Sequence, residues 1–148
     1  MSIKRFFSLG LAMALAGALS SCAGIKDTVK FADARNYFYQ GNNNEISVVK
    51  IATAQQFDRL FGPAAFMGKG GEPTEVDFEH SFVIAIVLPE SNRRPEITDV
   101  KLQRGEGKEL IVNYKVHYSV PVSYTTRPVR LLIVDRKYAG WSIKGQQH

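Results

Sequence analysis

The hydrophobic positions of the chain are most continuous at residues 82–88, where seven apolar residues follow one another before Pro89. This run is too short to span a membrane, and no polar position interrupts it. It therefore predicts a strand that is buried on both faces, at the centre of a sheet. A second mostly apolar run at residues 129–135 predicts a strand close to the central one.

Two other segments alternate between apolar and polar positions, which is typical of half-buried strands. In residues 97–103, Thr98, Val100 and Leu102 are expected to share one face. In residues 110–120, the apolar face is predicted to hold every second residue: Leu110, Val112, Tyr114, Val116, Tyr118 and Val120. Tyr114 and Tyr118 are thus both expected in the core. The glycine-rich turn at residues 105–107 would join the two strands as a hairpin.

A short helix is predicted after a β-branched strand at residues 46–51. Thr53 and Gln56 have the spacing of a capping box, which begins a helix by pairing its first free amides. Phe57, Leu60 and Phe61 follow at helical spacing, and Gly62-Pro63 is expected to end the helix.

The fold class predicted from these elements is α+β. We expect a mainly antiparallel β-sheet, open or barrel-like, with one short amphipathic helix packed on it. Short connections between the later strands favour antiparallel pairing. The alternative is a β-sandwich that carries the helix as a decoration.

The N-terminus has the pattern of a secretory signal peptide. Lys4 and Arg5 precede an apolar stretch, which ends in Leu19-Ser20-Ser21-Cys22. Small residues before a cysteine at this place resemble the lipobox of bacterial lipoproteins. The resemblance implies cleavage before Cys22 and lipidation of Cys22, including palmitate-type acyl chains, and two or more chains anchor a protein stably.

Three segments follow from this assignment. Residues 1–21 are the signal peptide, residues 22–45 the lipid anchor, tether and lead-in, and residues 46–148 a single domain. Tyr37-Phe38-Tyr39 in the lead-in is a possible edge strand. The predicted location is the envelope of a Gram-negative bacterium. Ala23, in place of an aspartate after Cys22, resembles outer-membrane retention, with the domain periplasmic or surface-exposed.

The charge of the chain does not point to nucleic acid. The 19 basic and 14 acidic residues give a formal net charge of +5, and Lys4 and Arg5 leave with the signal peptide. The remaining basic residues cluster only in pairs, such as Arg93-Arg94, without a basic stripe between stacking aromatics. We therefore predict the membrane, through Cys22, as one partner and no nucleic-acid partner.

Candidate chemistry is concentrated at the entry to the central strand, in Asp77, Glu79 and His80, with His117 as a further ligand. In an extended segment His80 would point away from the two carboxylates. The simpler interpretation is that Asp77 caps a turn. The glycine-rich residues 67–71 do not have the spacing of a phosphate-binding loop. Cys22 is the single cysteine. We predict no catalytic residue, no metal and no cofactor.

The best candidate for binding is the loop at residues 121–128. Tyr124 is expected to be exposed there, with Arg127 nearby, and tyrosine and arginine are frequent anchors of protein interfaces. The alternative for this loop is a structural role in which Arg127 pairs with a carboxylate.

Several segments resemble a known family. The helix at residues 56–62, the entry Val76-Asp77-Phe78, the apolar strand at 82–88 and the loop at 123–128 are similar in order to the C-terminal domain of PrcB. PrcB is a lipoprotein subunit of a bacterial protease complex. The resemblance covers roughly residues 46–144 and implies a role beside a partner protease, without a catalytic motif.

These features favour a lipid-anchored envelope domain with a non-catalytic role, either protein-binding or accessory to a protease. A glycan-binding module of the envelope is the alternative, because exposed aromatics also bind sugars. A metal-dependent hydrolase is the third candidate.

Overall fold

The computed structural model describes residues 27–148. The predicted signal peptide and Cys22 lie outside the described residues. The described chain forms one helix and nine strands, with a 3-10 turn at Arg136–Tyr138. The elements are β1 Phe31–Ala34, β2 Tyr37–Tyr39, β3 Ser47–Ile51, α1 Ala54–Leu60, β4 Phe61–Pro63, β5 Ser81–Val87, β6 Glu96–Arg104, β7 Glu109–His117, β8 Val129–Asp135 and β9 Ser142–Gln147.

The strands are arranged around a four-stranded sheet with the order β1-β8-β5-β3. A three-stranded sheet, β6-β7-β9, packs on one face of it. Helix α1 and the two-stranded ribbon β2-β4 cover the other face. Only β7 and β9 pair in parallel among these strands; the other pairs are antiparallel. The predicted α+β class with a mainly antiparallel sheet is confirmed, and the sheets do not close into a barrel.

Strand β5 is the centre of this arrangement, as its unbroken hydrophobicity predicts. It pairs with β3 on one side and β8 on the other. Phe82, Ile84 and Ile86 point into the core shared with β6-β7-β9. Val83 and Val87 point into the second core, under α1 and the ribbon. Every residue from 82 to 88 is at most 1% exposed, because each face of the strand has its own layer.

The segment expected to be a tether and lead-in contains two strands, β1 and β2. Thr28 forms a bridge with Gln103, and Val29 is buried. Strand β1 extends the central sheet beside β8. Strand β2, at the predicted edge-strand position, pairs with β4. Residues 27–45 are therefore part of the domain, and the Asp27 carbonyl already accepts a 3.0 Å hydrogen bond from the Arg104 amide.

Helix α1 begins where the sequence predicts and ends earlier. The Thr53 hydroxyl accepts a 3.2 Å hydrogen bond from the Gln56 amide, and the Gln56 side chain accepts one from the Ala52 amide. The helix ends at Leu60 with Phe61 as its C-cap, one residue before the predicted end, and residues 61–63 form the strand β4, which was not predicted. Because β4 pairs with β2, the backbone N–H and C=O groups of this segment find partners without a further turn of helix.

Strand β6 does not follow the predicted alternation. Its register with β7 shifts between Thr98 and Lys101, and Asp99 has a positive φ of 51°. A bulge adds one residue to a strand and reverses the phase of the side chains beyond it. As a result Ile97 and Leu102, at positions of opposite parity, are both buried in the same core.

Strand β7 is shorter than predicted. Tyr114 is 3% exposed and lies in the core as expected, whereas Tyr118 and Val120 are 45% and 78% exposed. The prediction that Tyr118 is a core residue is wrong. Pairing ends where His117 lies opposite Glu96, the first residue of β6. Beyond that point the chain has no strand beside it and leaves the sheet.

Candidate functional site

The segment that leaves β7 forms a surface loop, residues 118–128, which we call the Tyr124 loop. It is fastened to the turn at residues 89–95 by backbone hydrogen bonds. Ser91 and Thr126 exchange two of them, at 3.0 and 2.9 Å. The Ser119 amide donates to the Arg93 carbonyl at 2.7 Å, and the Val122 amide to the Asn92 carbonyl at 2.8 Å. The loop is thus held along its length rather than free.

Three large side chains stand out from the Tyr124 loop into solvent: Tyr118, Val120 and Tyr124, of which Tyr124 is 52% exposed. The exposure expected for Tyr124 is confirmed. The guanidinium of Arg93 lies 5.5 Å from the ring centre of Tyr118 and donates from Nε to the Ser119 carbonyl at 3.3 Å. An arginine stacked on a tyrosine in this way stiffens both side chains and leaves them accessible.

Arg127 has a different position from Tyr124, because its side chain is only 17% exposed. Its guanidinium donates to the Gly41 carbonyl and to the Asn44 side chain, each at 3.1 Å. It lies 5.5 Å from the ring centre of Tyr39 and 3.6 Å from a carboxylate oxygen of Glu90. These contacts match the structural alternative for Arg127, in which it pairs with a carboxylate and joins the loop to the lead-in.

The charges at this end of the domain are mainly positive. The Tyr124 loop and the turn at 89–95 contain three arginines and one acid, Glu90. Arg93 and Arg94 are exposed, and Glu90 faces the guanidinium of Arg127. The exposed part of the surface therefore combines aromatic area with positive charge, a combination common at protein interfaces.

The entry to β5 brings Asp77, Glu79 and His80 together. The extended geometry expected for these residues is wrong, because they form a turn in which the Asp77 carbonyl accepts from the Ser81 amide at 2.9 Å. The Asp77 carboxylate also accepts from the Glu79 amide at 2.9 Å, as predicted for a turn cap. His80 Nδ1 lies 2.6 Å from Asp77 Oδ2, and this hydrogen bond is the main reason that the pKa of Asp77 is lowered.

Metal-ligand atoms of these three residues lie within 4.8 Å of one another, and in the described part of the chain they form the only such group. His117 does not belong to it. All three residues are exposed. The guanidinium of Arg136 donates to the Phe78 carbonyl at 2.7 Å inside the same turn, and its positive charge opposes a bound cation. The arrangement is explained by turn capping.

A second exposed apolar surface was not singled out by the sequence. Phe66 and Met67, in the loop that follows β4, are 59% and 99% exposed. The glycines that follow them, Gly68, Gly70 and Gly71, are typical of a surface loop. In the sequence, this surface is marked only by two adjacent large apolar residues inside a loop of alanines and glycines, outside any alternating strand pattern.

Comparisons with known proteins leave the resemblance to the PrcB domain a prediction. No family model, curated protein or solved structure matches the chain. Within residues 27–148, no helix has the length and hydrophobicity to cross a membrane.

Proposed function

We propose that this chain is a lipid-anchored domain of the bacterial cell envelope, attached through Cys22, that binds a protein partner and performs no catalysis. The observation that carries the binding role is the Tyr124 loop. It presents Tyr118, Val120 and Tyr124 on a backbone already fixed by hydrogen bonds to the turn at 89–95. A surface ordered before binding loses less conformational entropy when the partner arrives.

The chemistry of this surface indicates the kind of partner. Arg93 and Arg94 are exposed beside the aromatic side chains, so a partner patch with acidic residues around an apolar centre would be complementary. Arg127 contributes from inside, by holding the loop against Gly41 and Asn44. A protease-accessory role is one form of this function, and it rests on the resemblance to the PrcB domain.

Capture of the partner from detergent-solubilised envelopes tests this proposal. We expect Tyr124→Ala to lower the amount of captured partner at least about tenfold, as for a central interface tyrosine. Gln55→Ala is the control, because Gln55 is exposed on helix α1 and does not belong to the Tyr124 loop, and it should leave the capture unchanged.

Equal capture by the wild type and Tyr124→Ala would remove the Tyr124 loop as the binding surface. Titration of the folded protein with envelope polysaccharides separates the glycan-binding alternative. Saturable binding to a polysaccharide that Tyr124→Ala abolishes would assign the same surface to a glycan instead.

A further inference from the structure

A groove of about 570 Å³ lies between the start of β6 and the Tyr124 loop, and we call it the Arg94 groove. Arg94 and Glu96 line one side of it, and Ser119, Thr126 and Arg127 line the other. The backbone hydrogen bonds between the Tyr124 loop and the turn at residues 89–95 hold these two sides together. The groove is therefore formed before a ligand arrives, which lowers the entropic cost of binding.

Arg94 has a backbone conformation that few side chains favour. Its φ is 42°, in the left-handed region where residues other than glycine, asparagine and aspartate are uncommon. Pro95 follows it and is buried, so the chain beyond Arg94 has a fixed direction. Residues strained in this way persist where the surrounding structure imposes the conformation, and they are frequent at binding sites.

The side chain of Arg94 differs from those of the other two non-glycine residues with a positive φ, Asn36 and Asp99. Asn36 donates to two backbone carbonyls, at 2.8 and 2.7 Å, and Asp99 Oδ2 lies 2.9 Å from Lys115 Nζ. Within residues 27–148, the guanidinium of Arg94 has no salt-bridge partner and no aromatic ring under it. Contacts of this kind inside the domain therefore do not explain an arginine at this strained position.

The groove and the turn beside it have a surplus of one positive charge. Three arginines, Arg93, Arg94 and Arg127, face two glutamates, Glu90 and Glu96. The Nε of Arg127 is buried and has no hydrogen-bond partner in the described part of the chain, so this residue supplies positive charge from within the wall. One anionic charge is complementary to the surplus, whereas the exposed Glu96 would repel the second charge of a phosphate.

A carboxylate is the single-charged group that arginine binds best, because two parallel hydrogen bonds join them. The domain already contains one such pair, in which Arg130 donates to Asp33 from Nε at 2.7 Å and from Nη2 at 3.1 Å. The exposed Arg94 can offer the same two donors to a carboxylate from outside the domain. The hydroxyl of Thr126, on the other side of the groove, is a further donor.

We propose that the Arg94 groove receives a carboxylate of the protein partner, which Arg94 binds through its guanidinium. The inference rests on the proposed binding role of the Tyr124 loop, whose exposed aromatic side chains contact the partner beside the groove. The carboxylate belongs to an acidic side chain of the partner or to its C-terminus.

Titration of the intact protein in detergent micelles with short peptides tests this proposal, followed by the NMR signals of the Arg94 Nε–H and the Thr126 amide. The probes are acetyl-Ala-Ala-Glu amide, acetyl-Ala-Ala-Ala with a free C-terminal carboxylate, and the neutral acetyl-Ala-Ala-Ala amide. We expect saturable shifts with a carboxylate peptide and none with the neutral one. The tighter of the two carboxylate peptides shows whether a side chain or a C-terminus is preferred.

Variants of Arg94 assign the binding to its guanidinium. Arg94→Gln should weaken the carboxylate peptide about tenfold or more, and Arg94→Lys should weaken it less, because an ammonium keeps the charge without the two-pronged geometry. Arg94→Gly should also lose binding while its thermal unfolding midpoint stays equal or rises, since glycine accepts a φ of 42° without strain.

Arg59→Gln is the matched control, because Arg59 is an exposed arginine on α1 and lies outside the groove. It should bind the peptides like the wild type. Equal weakening by Arg59→Gln, equal shifts with the neutral peptide, or tighter binding of inorganic phosphate than of either carboxylate peptide would overturn the carboxylate site.

Capture of the partner from detergent-solubilised envelopes separates this inference from the proposed function. Loss of capture with both Tyr124→Ala and Arg94→Gln supports the two together. Loss with Tyr124→Ala alone would overturn the Arg94 groove as a partner site and leave the Tyr124 loop as the binding surface. Unchanged capture with both variants would remove the loop and the groove.

Discussion

Replacing Phe82 by alanine is expected to lower the free energy of unfolding by about 3–5 kcal/mol. Phe82 is fully buried in β5 and lies in the core between the central sheet and β6-β7-β9. The loss has two sources. The variant no longer gains the free energy of burying the aromatic ring away from water, and the rigid neighbouring strands leave a cavity where the ring was. Urea unfolding followed by circular dichroism measures it.

Phe66→Ala is the control for the same chemical change at an exposed site, and it should alter stability by no more than about 0.5 kcal/mol. An equal loss for the two variants would contradict the central position of β5. The expected loss for Phe82→Ala is a large part of the roughly 5–15 kcal/mol that stabilises an ordinary domain. The difference between Phe82→Ala and the control is therefore easy to measure.

Replacing Arg127 by methionine is expected to cost about 2 kcal/mol and to loosen the Tyr124 loop. Methionine keeps most of the length of the side chain and loses the guanidinium, which donates to Gly41 and Asn44. Hydrogen bonds from charged donors contribute about 1.5–3 kcal/mol each when they are shielded from water, and partial exposure of these partners reduces the sum. Amide hydrogen exchange at Ser91 and Thr126 should become faster.

Arg94→Met is the matched control, because Arg94 is an exposed arginine in the adjoining turn. It should leave both stability and exchange nearly unchanged. If Arg127→Met behaved like Arg94→Met, the hydrogen bonds from Arg127 to Gly41 and Asn44 would contribute nothing measurable to stability.

Features that depend on neighbouring positions in the chain could be predicted from the sequence. The central strand follows from the apolar run at 82–88, because a strand without polar residues on either side cannot expose a face to solvent. The start of α1 follows from Thr53 and Gln56, whose side chains bond to amides close by. The exposure of Tyr124 follows from a proline-bounded polar loop.

Features that depend on residues far apart in the sequence could not be predicted. The bulge at Asp99 reverses the side-chain phase of β6, and nothing local marks it. The end of β7 is set by the first residue of β6, which decides that Tyr118 is exposed. Arg127 is buried by contacts with Gly41 and Asn44, more than 80 positions away.

Site-specific photo-cross-linking in intact cells tests the proposed binding surface most directly. A photoreactive phenylalanine analogue at position 124 lies on the Tyr124 loop, and one at position 55 lies on an exposed part of α1. We predict a discrete protein adduct from position 124 and none from position 55. No adduct from position 124, or the same adducts from both positions, would contradict a partner-binding role for this loop.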